Sequence, residues 1–153
     1  MASSVRRVVT GHDADGRAVF AIDDELEEAA LGAVVWSTGA LPADNSGPAV
    51  SAGPPAGIAA GGSVLRIMTI MPGHRSPMHR TQTLDYGIVL EGVIRLELDG
   101  GASVDVRAGE VVVQRGTIHA WENVGDQPCR IAFILIAAEP LSVGGRVLEP
   151  THA

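Results

Sequence analysis

The chain reads as a succession of short apolar runs cut by turn residues. Runs rich in Val and Ile lie at 6–9, 18–22, 33–38, 64–71, 86–90, 93–98, 102–106, 110–114, 120–123 and 130–136. Branched side chains of this kind suit the pleated surface of a sheet. Turn signals separate nearly all of them: Asp15-Gly16, Pro72-Gly73, Glu91-Gly92, Asp99-Gly100-Gly101, Ala108-Gly109 and Gly125-Asp126. Short strands with a turn every eight to twelve residues or so predict an all-β sandwich or barrel. Only residues 23–31 have a helical look, and they predict one short helix at most.

Alternation then assigns faces. Within 93–98, Ile94, Leu96 and Leu98 share one side while Arg95 and Glu97 share the other, the pattern of a strand with one wet face. Tyr86, Ile88 and Leu90 point one way, and Asp85, Gly87 and Val89 the other. His119, Trp121 and Asn123 share a face. Residues 40–63 break the pattern, being rich in Pro, Gly and Ala, and predict a long connection that serves as a mobile lid or as a tether across the barrel. The expected organisation is a single domain: N-terminal strands and that connection over 1–62, a core over 63–139 and a tail over 140–153.

Composition narrows the function classes. A chain of 153 residues that is 46% hydrophobic and 19% charged can bury one core and is not expected to be disordered. A net charge of -7 with scattered basic residues argues against a nucleic-acid partner. The one cysteine, Cys129, allows no intrachain disulfide and no cysteine cluster for zinc, and reads as a small packing residue. The start shows no apolar leader, and the longest strongly apolar run, 131–138, is far short of a membrane span. The expectation is a soluble, cytoplasmic protein with a small-molecule partner and no membrane partner.

Candidate chemistry centres on two histidines. His79 and His119 each sit at the edge of an expected strand, and Asp85 follows His79 by six residues. On one straight strand that separation is roughly 20 Å, whereas a bend near residues 80–83 would put the two on adjacent strands about 5 Å apart. Two His and one carboxylate are ligands suited to Fe, Mn, Ni or Zn, in the facial arrangement of non-haem iron sites. Bland readings stand beside this one. The histidines could be buried and hydrogen-bonded, and Asp85 could anchor a turn or pair with Arg80. His74 could replace a ligand, line the entrance or face solvent. Arg66, in an otherwise apolar strand, could meet an acidic substrate or a carboxylate at the core edge. Trp121 and Tyr86 could form a pocket wall or ordinary packing, while His12 and His152 have no supporting context.

Two stretches carry a family resemblance. Residues 73–92 resemble the first cupin motif, G-x5-H-x-H-x3,4-E-x6-G, with Gly73, His79 and Gly92 in register. Thr81 stands at the motif's second histidine and Asp85 at its glutamate. Residues 109–123 resemble the second motif, G-x5-P-x-G-x2-H-x3-N, through Gly116, His119 and Asn123. The motif's proline is missing, and the stretch before Gly116 is one residue shorter. The resemblance implies a single cupin jelly-roll barrel with a short N-terminal extension of strands, commonly a homodimer. It also implies a divalent transition metal (Fe, Mn, Ni or Zn) with His79, His119 and Asp85 at ligand positions. The resulting expectation is a small-molecule enzyme using His79, His119 and Asp85, with Thr81, Trp121, Arg66 and His74 lining the pocket. Its substrate would be a small organic acid or a hydroxylated or aromatic metabolite, and its reaction non-oxidative. The alternatives are a non-catalytic ligand-binding cupin, an Fe(II)-dependent dioxygenase, and metal-free acid–base catalysis by a His–Asp pair.

Overall fold

Each apolar run picked out from the sequence overlaps a strand, with ends shifted by at most one residue at 71, 102, 110 and 123. The computed structural model describes residues 4–29, 32–46, 48–51 and 61–151. The strands are β1 (Ser4–His12), β2 (Ala18–Glu27), β3 (Ala33–Thr38), β4 (Ser63–Ile70), β5 (Thr83–Glu91) and β6 (Val93–Leu98). They continue with β7 (Ser103–Arg107), β8 (Val111–Arg115), β9 (His119–Glu122) and β10 (Cys129–Ala137), and end in a small hairpin of β11 (Ser142–Val143) and β12 (Arg146–Val147). One sheet has the order β3-β4-β10-β5-β8 and a second the order β7-β6-β9, while β1 and β2 pair only with each other. Paired strands are antiparallel throughout.

The inward rows of the two sheets meet as one core. Ile94, Ile131, Val89 and Cys129 are fully buried, joined by Ile70, Leu96, Val106 and Trp121. Each large aliphatic removed from water contributes about 1.5–3 kcal/mol. Cys129 is therefore a packing residue, and burial pushes its thiol pKa up. The outward row of β6 is wet as its alternation requires, with Arg95 bonded to Asp105 of β7 at 2.7 Å.

The expected helix at 23–31 is not present: among the described residues this stretch is strand up to Glu27, and Ala30 and Leu31 lie outside them. Leu26 stands opposite Val5 in the hairpin register, and the acidic residues find partners on β1. Arg6 bonds Asp23 and Arg7 bonds Asp24, both at 2.9 Å. Cross-strand pairing of period two outweighs the weak helical preference of a short acidic run. The hairpin is tied to the barrel by Arg7, which donates to Val35 O, and by Arg130, which donates to Ser4 O.

The turn between β5 and β6 requires glycine on two counts. Gly92 has φ +79°, and a Cβ there would lie 2.9 Å from Pro128 O and 3.0 Å from Cys129 Cα. Gly109 also has a positive φ, +86°, but open space around it. Gly109→Ala should lose about 1 kcal/mol for left-handed backbone alone, and Gly92→Ala about 2 kcal/mol or more. Urea midpoints of the two variants measure the difference, and equal losses would show that the contact with 128–129 gives way freely.

Candidate active site

The site begins with a change of sheet. β4 ends at Ile70, the chain turns at Gly73, and residues 73–79 run back along β9. Gly73 N–H donates to Asn123 O, Asn123 N–H to His74 O, and Ser76 N–H to Trp121 O. Trp121 N–H donates in turn to Ser76 Oγ. At the far end His79 and His119 exchange backbone bonds of 2.9 and 3.0 Å. Asn123 locks the near end: its Nδ2 donates to Ile70 O and Gln127 O, and its Oδ1 accepts from Gly125 N–H. The motif asparagine is thus a structural staple.

This pairing sets the two imidazoles side by side, with ring centroids 4.4 Å apart. Nδ1 of His79 lies 2.9 Å from Pro77 O, and Nδ1 of His119 lies 3.0 Å from Thr117 O. A carbonyl only accepts, so each Nδ1 carries the hydrogen and each neutral ring keeps a lone pair on Nε2. Burial pushes the His119 pKa below its ordinary value, which favours the neutral ring. Gln114 supports the same turn. Its Nε2 donates to Thr117 O at 2.9 Å, and its Oε1 accepts from Thr117 Oγ1 at 2.8 Å. Sequence reasoning passed over Gln114, although a lone carboxamide within Val111–Arg115 was a signal.

Asp85 comes from the other sheet. It shares the inward face of β5 with Thr83, Gly87 and Val89, as its parity required, and is only 7% exposed. Thr81 Oγ1 donates to Asp85 Oδ2 at 3.5 Å and accepts from Thr83 Oγ1 at 2.7 Å. Asp85 Oδ1 is buried without a hydrogen-bond partner among the described residues. Burial pushes the Asp85 pKa up, against the opposing pull of the Thr83 and Thr81 hydroxyls, Arg66 and His79. Arg80 does not pair with it, reaching instead towards Glu149 O.

One cavity of about 480 Å³ takes in every residue expected at the site: His79, His119, Asp85, Thr81, Trp121, Arg66 and His74. Gln114, Ser76 and Met68 line it as well. Tyr86 lies on the opposite parity and does not. The connection expected as a lid falls partly outside the described residues, at 52–60. Its described residues at 44–50 line a different cavity, against β1 and Trp36. His152 is outside the described residues too.

Residues 66–136 match the cupin domain model. The chain is 39% identical over 157 residues to "Phomopsin biosynthesis cluster protein D" of Diaporthe leptostromiformis, covering 93% of this chain and 83% of that one. It is also 36% identical over 162 residues to "Cupin-domain-containing oxidoreductase fogC" of Aspergillus ruber, covering 96% of this chain and 79% of that one. The chain belongs to the cupin family. A solved double-stranded beta-helix protein from Klebsiella pneumoniae is 20% identical, with a TM-score of 0.47 over 50% of this chain and 68% of that one.

A cupin barrel raises the question of a metal. The two Nε2 lone pairs suit a divalent ion, and carbonyl-bonded Nδ1 atoms are the usual support of histidine ligands. The third ligand is where the set falls short. Among the described residues no three of His, Cys, Asp and Glu are placed to hold an ion together. Asp85 lies on a different sheet from the histidines, is a methylene shorter than glutamate, and has one oxygen bonded to Thr81. Thr81 itself offers a neutral hydroxyl where the motif has imidazole. The residues present do not make the expected three-ligand centre.

The raised Asp85 pKa has a measurable consequence. The fold favours its protonated form, so this contribution to stability is complete below the ordinary carboxylate range and is lost as pH rises through the raised value. His119 has the opposite sign, with stability lost as pH falls, but it is common to wild type and to an Asp85 variant. The stability of Asp85→Asn relative to wild type should therefore increase as pH rises from below the ordinary carboxylate range through the raised value. Denaturant titrations across that range test it; a flat difference would show that the carboxylate carries no burial penalty.

Proposed function

We propose that this cupin is a small-molecule enzyme that performs a non-oxidative, proton-transfer reaction, with Asp85 as general base. The observation that carries the reading is the state of its carboxylate. Asp85 lines the cavity, Oδ2 is bonded to Thr81, and Oδ1 is buried and unpartnered among the described residues. Burial raises its basicity above that of a surface carboxylate, the change wanted in a group that must take a proton near neutral pH. The Asp85 carboxylate accepts a proton from a substrate carbon or hydroxyl. It returns that proton to another carbon in an isomerisation, or to a departing oxygen in an elimination. The Nε2 atoms of His79 and His119 accept hydrogen bonds from substrate hydroxyls and orient them. Trp121 and Phe133, in edge contact at 5.4 Å, form the apolar wall. Relatives named for biosynthesis clusters support a small metabolite as substrate.

An oxidative reaction is the second reading. It is favoured by the relatives named as oxidoreductases and by the carbonyl-bonded Nδ1 atoms of both histidines. The two readings separate in D2O without oxygen, using a panel of hydroxylated and conjugated acids followed by proton NMR. Proton-transfer chemistry should give C–H exchange or product under anaerobic conditions. Asp85→Asn should slow it by about 10²-fold or more. Turnover that strictly requires O2, with matching oxygen uptake, would select the oxidative reading.

A further inference from the structure

Arg66 is the least explained charge in the barrel. It lies in the inward row of β4 with Val64, Met68 and Ile70, where alternation calls for apolar residues. Among the described residues it forms no salt bridge, and its Nε is buried without a hydrogen-bond partner. A half-buried guanidinium whose Nε is buried without a partner is costly to the fold, and an anion in the cavity would offset that cost.

Register shows where that anion would sit. Arg66 stands opposite Phe133 of β10, and Phe133 stands opposite Gly87 of β5. Asp85 is two residues from Gly87 on the same inward face. Arg66 and Asp85 therefore flank β10, on strands about 10 Å apart at the backbone, with Phe133 between Arg66 and Gly87 and Leu135 opposite Asp85. Gly87 leaves the sheet bare there without any positive φ to require glycine. A Cβ on it would meet Phe133 Cε1 and Trp121 Cη2, each at 3.5 Å, so aromatic edges border the space above it. Asp85 is the one carboxylate among the residues lining the cavity; its charge acts on Arg66, but no ion pair joins the two among the described residues.

We propose that the cavity takes a carboxylate-bearing molecule with a flat, conjugated body, its carboxylate on Arg66 and its body over Gly87 against Phe133 and Trp121. This rests on the reading of the cavity as a substrate site and names its substrate class. It places the far end of the ligand towards Asp85. Arg66 is the anchor for the anion and takes no part in proton transfer, and Gly87 sets the depth of the floor.

Calorimetric titration of the full chain with cinnamate and its neutral amide tests the proposal. Cinnamate should bind wild type at least about tenfold more tightly than cinnamamide, the scale of a charge-assisted hydrogen bond. Arg66→Met, which fits the apolar row, should abolish the preference, and Arg66→Lys should retain part of it. Gly87→Val should weaken cinnamate while leaving acetate unchanged. Equal affinity for acid and amide in wild type, absence of cinnamate binding, or a preference that survives Arg66→Met would overturn the inference. Asp85→Asn distinguishes failure of the anion site from failure of the general base. If it binds cinnamate selectively yet turns over substrate at the wild-type rate, the anion site stands and the general-base reading fails.

Discussion

The backbone pairing of residues 73–79 with β9 is the constraint on which the site depends. It joins segments about forty residues apart and fixes the two histidines opposite one another, with His79 and His119 each donating to the other's carbonyl. Each such bond has a net worth of only about 0.5–1.5 kcal/mol. Its importance is register. A slip of one residue would turn the alternating side chains to the other face and remove an imidazole from the cavity. Asn123 at one end, the His79–His119 exchange at the other and the Arg75–Glu97 ion pair across to β6 hold that register together.

Supporting bonds then decide the chemistry of each ring. Pro77 O and Thr117 O hold the Nδ1 hydrogens, so each ring, when neutral, has Nε2 as its acceptor. Gln114 clamps the Thr117 turn and transmits the order of β8 to His119. On the opposite sheet the Thr83–Thr81–Asp85 chain satisfies one carboxylate oxygen and leaves the other bare. Asp85 and Arg66 are costs to the fold, of the order of 1–3 kcal/mol for each unsatisfied buried group. The well-packed core around Ile94, Ile131 and Val89 tolerates them.

The same arrangement explains how this barrel departs from a three-ligand metal centre. Thr81 occupies a ligand position of the motif but serves as a hydrogen-bond donor, and it donates to the residue in the glutamate position. Two departures from the motif thus compensate each other locally: the shorter carboxylate and the hydroxyl form one hydrogen-bonded unit on the β5 side. The histidine pair forms a second unit on the β9 side. The cavity between them is lined by a carboxyl group, two imidazoles and a guanidinium.

Much of this was legible in the residues themselves. The alternation of Ile94, Leu96 and the charged Arg95 and Glu97 determined a half-wet strand, and the parity of Asp85 with Gly87 and Val89 determined that the carboxylate faces inward. These are properties of a two-residue repeat, which a single strand carries within itself. The apparent helix at 23–31 misled because Asp23 and Asp24 are paired with Arg6 and Arg7, partners that only the hairpin supplies. That all seven expected residues share one cavity, that Asp85 comes from a different sheet than His119, and that Gln114 supports His119 were decided by tertiary structure alone. Each depends on which strands become neighbours, and strand order is set by packing of the two sheets over the whole chain, not by any local pattern.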